Sequence, residues 1–310
     1  MSHSRAIPII LLTGSNGQVG FELRRSLAPL GRIAALDRAT CDLAYSSRIR
    51  DLVRRIRPDV IVNAAAYTAV ERAEGEAELA FAVNAVAAGT LAEEARALGA
   101  MLVHYSTDYV YDGTKDSPYV ETDRTNPLSV YGKSKAAGDE NILATGAAAL
   151  ILRTSWVAGA HGSNFAATVL SRAREQARLR VVADQHGAPT SAALVADVTA
   201  HILARYWLFG RRETFPTGIY HLAADGVTTW HGYATEVLLR AACYGVALKA
   251  RPEDVEAILT AQYPADALRP ANSRLDTTKL RCTFGIHLPP WQEGVHHVLE
   301  QILTERAQHA

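Results

Sequence analysis

Cysteine is scarce in this sequence: three among 310 residues, Cys41, Cys243 and Cys282, far from one another. An odd, unclustered set excludes a disulfide framework, and no spacing matches a zinc site. Long apolar runs are missing as well. The stretch 7–12 has six residues, against the roughly 20 that cross a bilayer. It leads directly into a glycine-rich turn, so it reads as a buried strand and not as a leader or a membrane anchor. Nor is there an excess of charge of either sign, since 32 Lys and Arg balance 32 Asp and Glu. That removes any bulk pull toward nucleic acid or an anionic membrane. Two local basic runs, 48–57 and 172–180, carry apolar residues between their arginines and read as solvated helix faces, with a role in holding a diphosphate as the alternative. His161, His186, His221 and His231 are scattered, and consecutive His296 and His297 point apart on a helix, so no metal site is expected. The expected compartment is the cytoplasm.

What the sequence does contain is an alternation. Short apolar runs at 7–13, 33–36, 60–63, 101–106 and 150–154 are separated by segments of helical spacing, such as 19–28, 46–56 and 77–98. Continuous apolar strands between amphipathic helices predict a parallel sheet covered on both faces, a Rossmann-like, doubly wound α/β fold. In that architecture ligands bind beyond the carboxyl ends of the strands. The second half is less regular. A helix is expected over 164–177, a strand over 179–183, a loop over 184–190, a helix over 192–206 and a strand over 218–222; from Asp225 the pattern is loop and helix. The predicted organisation is a dinucleotide-binding domain over 1–156, with returning segments at about 191–222, and a smaller mixed α/β substrate-binding lobe over 157–190 and 223–310.

The first strand runs into Gly14-Ser15-Asn16-Gly17-Gln18-Val19-Gly20 and then a helix. Residues without side chains let such a turn form and bring backbone close to a pyrophosphate at a helix N-terminus. The strand–turn–helix context gives the pattern its weight. Asp37 ends the second strand, where a carboxylate suits the ribose hydroxyls of NADH, and Arg38 beside it suits the 2′-phosphate of NADPH. Either cofactor is therefore expected. Ala64, Ala65 and Ala66 end the third strand with small residues, as a close approach to a cofactor requires. The candidate cofactor set is Gly14, Asn16, Gly17, Gln18, Val19, Asp37, Arg38, Asp42, Leu43, Ala64, Ala65, Ala66 and Tyr67, with Tyr131 and Lys135.

Thr107 sits at the end of the fourth strand, followed by Asp108 and Tyr109. Some 20 residues on comes Tyr131-Gly132-Lys133-Ser134-Lys135. On a helix, Tyr131 and Lys135 share a face. An ammonium beside a phenol is expected to lower the phenol's pKa, so that the tyrosine exchanges a proton with a carbonyl oxygen while hydride moves to carbon. Thr107 can donate a hydrogen bond to the same oxygen.

With these residues the chain resembles the extended short-chain dehydrogenases, and within them the dTDP-4-dehydrorhamnose reductase family. The likeness runs through LLTGSNGQVG (11–20), VNAAAYTAVERAE (62–74), STDYVYDG (106–113), NPLSVYGKSKAAGD (126–139), RTSWV (153–157), ADQHGAPTS (183–191), GIYHLAADGVTTWHGYA (218–234), RPANSRLDTTK (269–279) and LPPWQEGV (288–295). The resemblance implies reduction of the C4 keto group of dTDP-4-dehydro-L-rhamnose. It further implies that Tyr131 protonates O4, that Lys135 holds the nicotinamide ribose and tunes Tyr131, and that Thr107 orients the carbonyl. Thr68, Val70, Thr107, Asp108, Tyr109 and Trp156 would line the sugar pocket.

Departures from the family pattern are informative. Where some members bridge a dimer through magnesium held by acidic residues, this chain has Ala193 and Gln292, although Glu293 adjoins the latter. Magnesium prefers carboxylate oxygens. The expectation is a monomer or a weak homodimer without a magnesium bridge. Ala158 and Tyr111 replace the family's usual Tyr and Phe. The competing readings are another nucleotide-sugar reductase or epimerase of this fold, and a non-catalytic, dinucleotide-binding regulatory subunit.

Overall fold

The computed structural model describes residues 7–210 and 212–307. Its first half alternates strands β1 (Ile9–Thr13), β2 (Arg32–Leu36), β3 (Val60–Asn63), β4 (Met101–Thr107) and β5 (Ala149–Thr154) with helices α1 (Gln18–Ser26), α2 (Ser46–Ile56), α3 (Val70–Gly75), α4 (Ala77–Phe81), α5 (Ala87–Leu98) and α6 (Val130–Thr145). The second half adds β6 (Val157–Ala158), α7 (Phe165–Glu175), β7 (Leu179–Val182), β8 (His186–Gly187), β9 (Thr190–Ser191), α8 (Ala192–Ile202), β10 (Gly218–His221), β11 (Thr228–Thr229), α9 (Trp230–Cys243), β12 (Val255–Ile258), α10 (Thr278–Phe284) and α11 (Trp291–Ala307). Among the described residues no helix is long and apolar enough to cross a membrane.

Six parallel strands form the expected doubly wound sheet, in the order β10-β5-β4-β3-β1-β2. The apolar runs are continuous because both faces are covered. Ile10, Leu12, Val60 and Val62 point into a core shared with Leu23, Leu27, Val195 and Phe284, from α1, α8 and α10. Leu11 and Ile61, between them in sequence, point into the opposite core with Ile49, Val53, Leu91 and Ile142, from α2, α5 and α6. Alternation within an unbroken apolar strand is how a central parallel strand fills two cores at once. A second centre of packing joins α7, α9 and α11 around Val169, Leu170, Tyr233, Val237, Trp291 and Leu299. The parallel pair β7 and β12 lies against it.

The basic run 48–57 is the outer face of α2. Arg54 makes two hydrogen bonds to nearly buried Glu94, at 2.7 and 2.8 Å, and Arg50 reaches both Glu93 and Glu94. In the other run, Arg172 and Arg174 occupy the last turn of α7, where cations complement the helix dipole. Arg180 lies 3.7 Å from Glu256.

Four local expectations give way to tertiary pairing. The helix expected over 77–98 is interrupted by a wider π turn at Ala82–Val86. That turn presents buried Asn84 to the next segments, where its side chain bonds Tyr67 backbone and Ser134 Oγ. The helix expected over 192–206 keeps α geometry only to Ile202, then widens into a second π turn. The loop 184–190 contains β8 and the start of β9. The region after Asp225 contains β11, which pairs with β8, and β12, which pairs with β7. These ladders are two to four residues long and are specified by partners distant in sequence, not by local pattern.

Helix α6 packs closely on the first π turn because Gly138 carries no side chain: a Cβ there would lie 2.2 Å from Asn84 O. Gly138→Ala should therefore cost about 1–3 kcal/mol, the usual penalty of overpacking. The check is chemical denaturation, with a lowered midpoint at unchanged slope; an unchanged midpoint would show that α6 can shift freely.

Candidate active site

The chain leaves β1 for β2 on one side and returns across β1 to form β3 on the other. Loops after β1 and β3 thus part at this switch point, which opens a crevice beyond the strand ends. Gly14 follows β1 with φ of 66°, and a Cβ on it would stand 2.6 Å from Ala65 N. Only glycine tolerates both the left-handed backbone and this approach. Gly17 caps α1 and donates to Gly14 O at 2.9 Å. At Gly20 a Cβ would meet Gly14 O at 2.0 Å, so α1 begins directly against the turn and presents its unpaired N–H groups there.

A cleft of about 930 Å³ opens from this point. Its lining includes Gly14, Asn16, Gly17, Gln18, Val19, Asp37, Arg38, Asp42, Leu43, Ala64, Ala65, Ala66 and Tyr67, and also Thr68, Val70, Thr107, Asp108, Tyr109, Tyr131, Lys135 and Trp156. Every candidate named from the sequence thus reaches one cavity. No arginine of the two basic runs does. The details vary. Asp37 accepts from Thr40 N and Oγ1 at 2.9 and 2.8 Å and from Asn16 at 3.2 Å, which holds its carboxyl below the usual range. Arg38 is exposed and only 3.8 Å from Asp42. Gln18 Oε1 accepts from Gly159 N at 2.7 Å and Asn164 Nδ2 at 3.2 Å, so this side chain braces the loop after β6 against the glycine turn.

At the end of β4, Thr107 caps a short 3-10 turn, Asp108–Val110, by accepting from Tyr109 N at 3.2 Å. Ser129 caps α6 by accepting from Gly132 N at 3.2 Å. Gly132 allows the two caps to meet, since a Cβ there would lie 2.2 Å from Tyr109 O. The Tyr109 and Tyr131 rings pack edge to face at 5.6 Å, and Thr107 is the polar neighbour of Tyr131 that opposes its burial. Lys135, one turn along α6, is 1% exposed. Its Nζ donates to Tyr105 O at 2.6 Å and stands 3.0 Å from His104 Nε2.

Electrostatics differ from expectation at one point. Burial pushes the Tyr131 phenol up to about 12, and Thr107 offsets only part of this. The expectation is a phenol lowered by the ammonium; here desolvation dominates, and the neighbouring carboxylates Asp108 and Asp139 add to it. Desolvation also brings Lys135 down to about 8, against the opposing charge of Asp139. Asp108 rises to about 6 for the same reason, although Thr107 donates to its Oδ1 at 3.0 Å. One of its oxygens, Oδ2, is buried with no protein partner. Tyr131 is therefore neutral and able to donate, beside a carboxylate with an unused acceptor.

Trp156 adopts φ of 47°, rare for a side-chain-bearing residue. Its indole stacks on Trp230 at 3.7 Å and presses on Gly187, where a Cβ would lie 2.7 Å away. Trp230, which also donates to Gln185 at 3.0 Å, lines the cleft; it is absent from the candidates named from the sequence, although it lies in the stretch 218–234 that carries the family likeness. Asn84 and His104 support the site from behind; a polar residue inside an apolar run was the only signal for either. Tyr111 does not line the cleft. It is fully buried, with its hydroxyl 2.8 Å from both Arg153 and His221. Burial and the Arg153 charge bring His221 down to about 4, so this cluster holds a neutral imidazole. Among the described residues no group of three or more His, Cys, Asp or Glu could hold a metal ion.

A dTDP-4-dehydrorhamnose reductase of Salmonella typhimurium is 47% identical over 299 residues, 95% of this chain and 98% of that protein. One from Shigella flexneri is 45% identical over 96% and 99%. A crystal structure of dTDP-4-dehydrorhamnose reductase from Bacillus anthracis in complex with NADP has 31% identity and a TM-score of 0.84, covering 96% of this chain and 99% of that one. A Thermus thermophilus UDP-glucose 4-epimerase complexed with NAD shares the fold, with a TM-score of 0.75 at 22% identity over 95% of this chain and 98% of that one. The family model described as the RmlD substrate binding domain matches residues 9–304, and the chain belongs to that family.

Proposed function

We propose that this chain reduces the C4 keto group of dTDP-4-dehydro-L-rhamnose to give dTDP-L-rhamnose, using NADPH or NADH. The observation that carries the reading is the meeting of Thr107, Tyr131 and Lys135 in the cleft that begins at the Gly14 turn. A dinucleotide fits the residues present: the Gly14–Ala65 approach leaves no room for side chains, and α1 turns its N-terminus to the place a pyrophosphate would take. When bound, the reduced nicotinamide supplies the hydride. Tyr131, neutral at physiological pH, donates the proton to O4, and Thr107 fixes the carbonyl. Lys135 supports the tyrosine and holds the nicotinamide ribose. Asp108 Oδ2 offers an acceptor to a sugar hydroxyl; Thr68, Val70, Tyr109 and Trp156 complete the sugar pocket, where an indole and a phenol suit the apolar face of a deoxysugar.

In this reading residues 1–156 with the returning segments at about 191–222 hold the dinucleotide. Residues 157–190 and 223–310, which carry the second packing centre, close over the nucleotide sugar. The setting is the cytoplasm, consistent with unpaired, exposed Cys243 and Cys282. The working unit is a monomer or weak homodimer with no magnesium bridge, because Ala193 and Gln292 offer no anionic ligand.

The test is loss of the reduced-nicotinamide absorbance on mixing protein and cofactor with freshly generated dTDP-4-dehydro-L-rhamnose. Stoichiometric oxidation with dTDP-L-rhamnose as product supports the reading. No oxidation by folded protein that binds dinucleotide points instead to another nucleotide sugar or to a regulatory role. Tyr131→Phe removes the proton donor alone, so turnover should fall by roughly 10²–10⁴-fold while dinucleotide binding survives; near wild-type turnover would remove Tyr131 from this role. Arg38→Ala should weaken NADPH binding by about tenfold or more and leave NADH binding nearly unchanged. Equal losses for both would show that Arg38 does not read the 2′-phosphate.

A further inference from the structure

An ammonium has three protons to donate. Two of those on Lys135 face acceptors that the protein fixes, Tyr105 O at 2.6 Å and His104 Nε2 at 3.0 Å. His104 is itself 1% exposed and is not part of the cleft lining. Behind it, Nδ1 stands 3.0 Å from Asn63 Nδ2, and Asn63 Oδ1 accepts from Thr13 Oγ1 at 2.6 Å. A line of contacts therefore runs from β1 through β3 and β4 to α6, and ends on the lysine.

The protons along this line sort into two arrangements. With Asn63 Nδ2 turned to the ring, His104 carries its single proton on Nε2 and meets an ammonium donor to donor. Half a turn of the amide exchanges the positions of its oxygen and nitrogen and leaves its neighbours in place. Asn63 then accepts from Nδ1–H and donates to Thr13, and Nε2 accepts from Lys135. Only this second arrangement satisfies a charged lysine. It also uses two of the three ammonium protons, leaving one for the cleft, where Tyr131 stands a helical turn away.

We infer that His104 is a positioning residue: a neutral acceptor, fixed in one tautomer by Asn63, that keeps Lys135 charged and aimed at the cleft. The inference rests on the reductase reading for its kinetic consequence. Asp139, one turn further along α6, adds an opposing charge that supports the ammonium but makes no hydrogen bond to it; its Oδ2 is taken by Ser106 and Arg153, each at 3.0 Å, so its charge is shared with the Arg153 guanidinium from β5. Tyr131 is neutral, and Asp108 is engaged with Thr107 at 3.0 Å. Burial and the Lys135 charge both hold the imidazole well below its usual pKa, so it remains an acceptor.

The sign of the effect follows. An acceptor on the charged form raises a lysine pKa, so removing it lowers that pKa further below the value near 8 that burial already imposes. Turnover and NADPH binding should both weaken on the alkaline side as Lys135 loses its proton. In His104→Leu that alkaline limb should move down by about one to two pH units. In His104→Gln, whose amide oxygen can accept, it should return most of the way. The measurements are kcat against pH for the three proteins and, independently of turnover, NADPH affinity against pH by fluorescence of the bound nucleotide. A limb that stays in place in His104→Leu, whatever the absolute rate, overturns the inference, as does a limb displaced equally in His104→Gln. If His104→Leu does not fold, Asn63→Ala frees the tautomer and should give a smaller shift of the same sign; no shift there overturns the inference too. A wild type that binds NADPH with this pH dependence but reduces no dTDP-sugar would refute the reductase reading alone.

Discussion

The ammonium of Lys135, enclosed at 1% exposure, is the constraint around which this site is arranged. A buried cation is tolerated only where acceptors and opposing charge are in place before it arrives. Here they come from separate elements: a backbone carbonyl and an imidazole from β4, and a carboxylate from α6 whose own partner is on β5. Helix α6 must therefore sit hard against the turn after β4 and the π turn beside it. Gly132 and Gly138 allow that, each facing a carbonyl oxygen about 2.2 Å from where a Cβ would stand. Asn84 adds a bond from the π turn to Ser134, next to Lys135. The glycines of the helix and the widened turn of its neighbour are two sides of one packing requirement.

The other end of the cleft depends on a different close approach, that of the β1 and β3 ends through Gly14 and Ala65. The two ends are joined by the sheet itself. Thr13 and Asn63 lie at the strand ends that frame the glycine turn, and they also begin the line that reaches Lys135. Gln18 performs a similar linking function toward the second packing centre, since its amide oxygen receives both Gly159 and Asn164. Rotation of α1 would thus disturb the loop that leads to Trp156 and α7.

How far the sequence reveals this varies with the range of the interactions. The central strands were legible because each fills two cores and so appears as an unbroken apolar run ending in Gly, Asn or Thr. The cleft residues were legible because they sit at those ends. Strand β12 was not: Val255-Glu256-Ala257-Ile258 has two exposed positions in four and gains its strand character only by pairing with β7. The π turn was hidden because Ala82-Val83-Asn84-Ala85-Val86 is an ordinary helical stretch until Asn84 finds Tyr67 and Ser134. His104 was hidden for a related reason, since a histidine inside an apolar strand reads as a packed core residue. Tyr131 lines the cleft, but its phenol is raised where the spacing predicts a lowered one, because spacing locates a charge and does not report the desolvation around it.

That last difference bears on the chemistry. A phenol pushed up to about 12 is in its acid form at neutral pH, which is the form a carbonyl reduction consumes. An oxidation would need the phenolate first, and this environment disfavours it. The fold alone does not decide between these, as the likeness to an epimerase at 22% identity illustrates. The balance is set locally: burial raises the phenol, Thr107 beside it lowers it in part, and burial prevails. In this chain the resting tyrosine holds its proton ready to give.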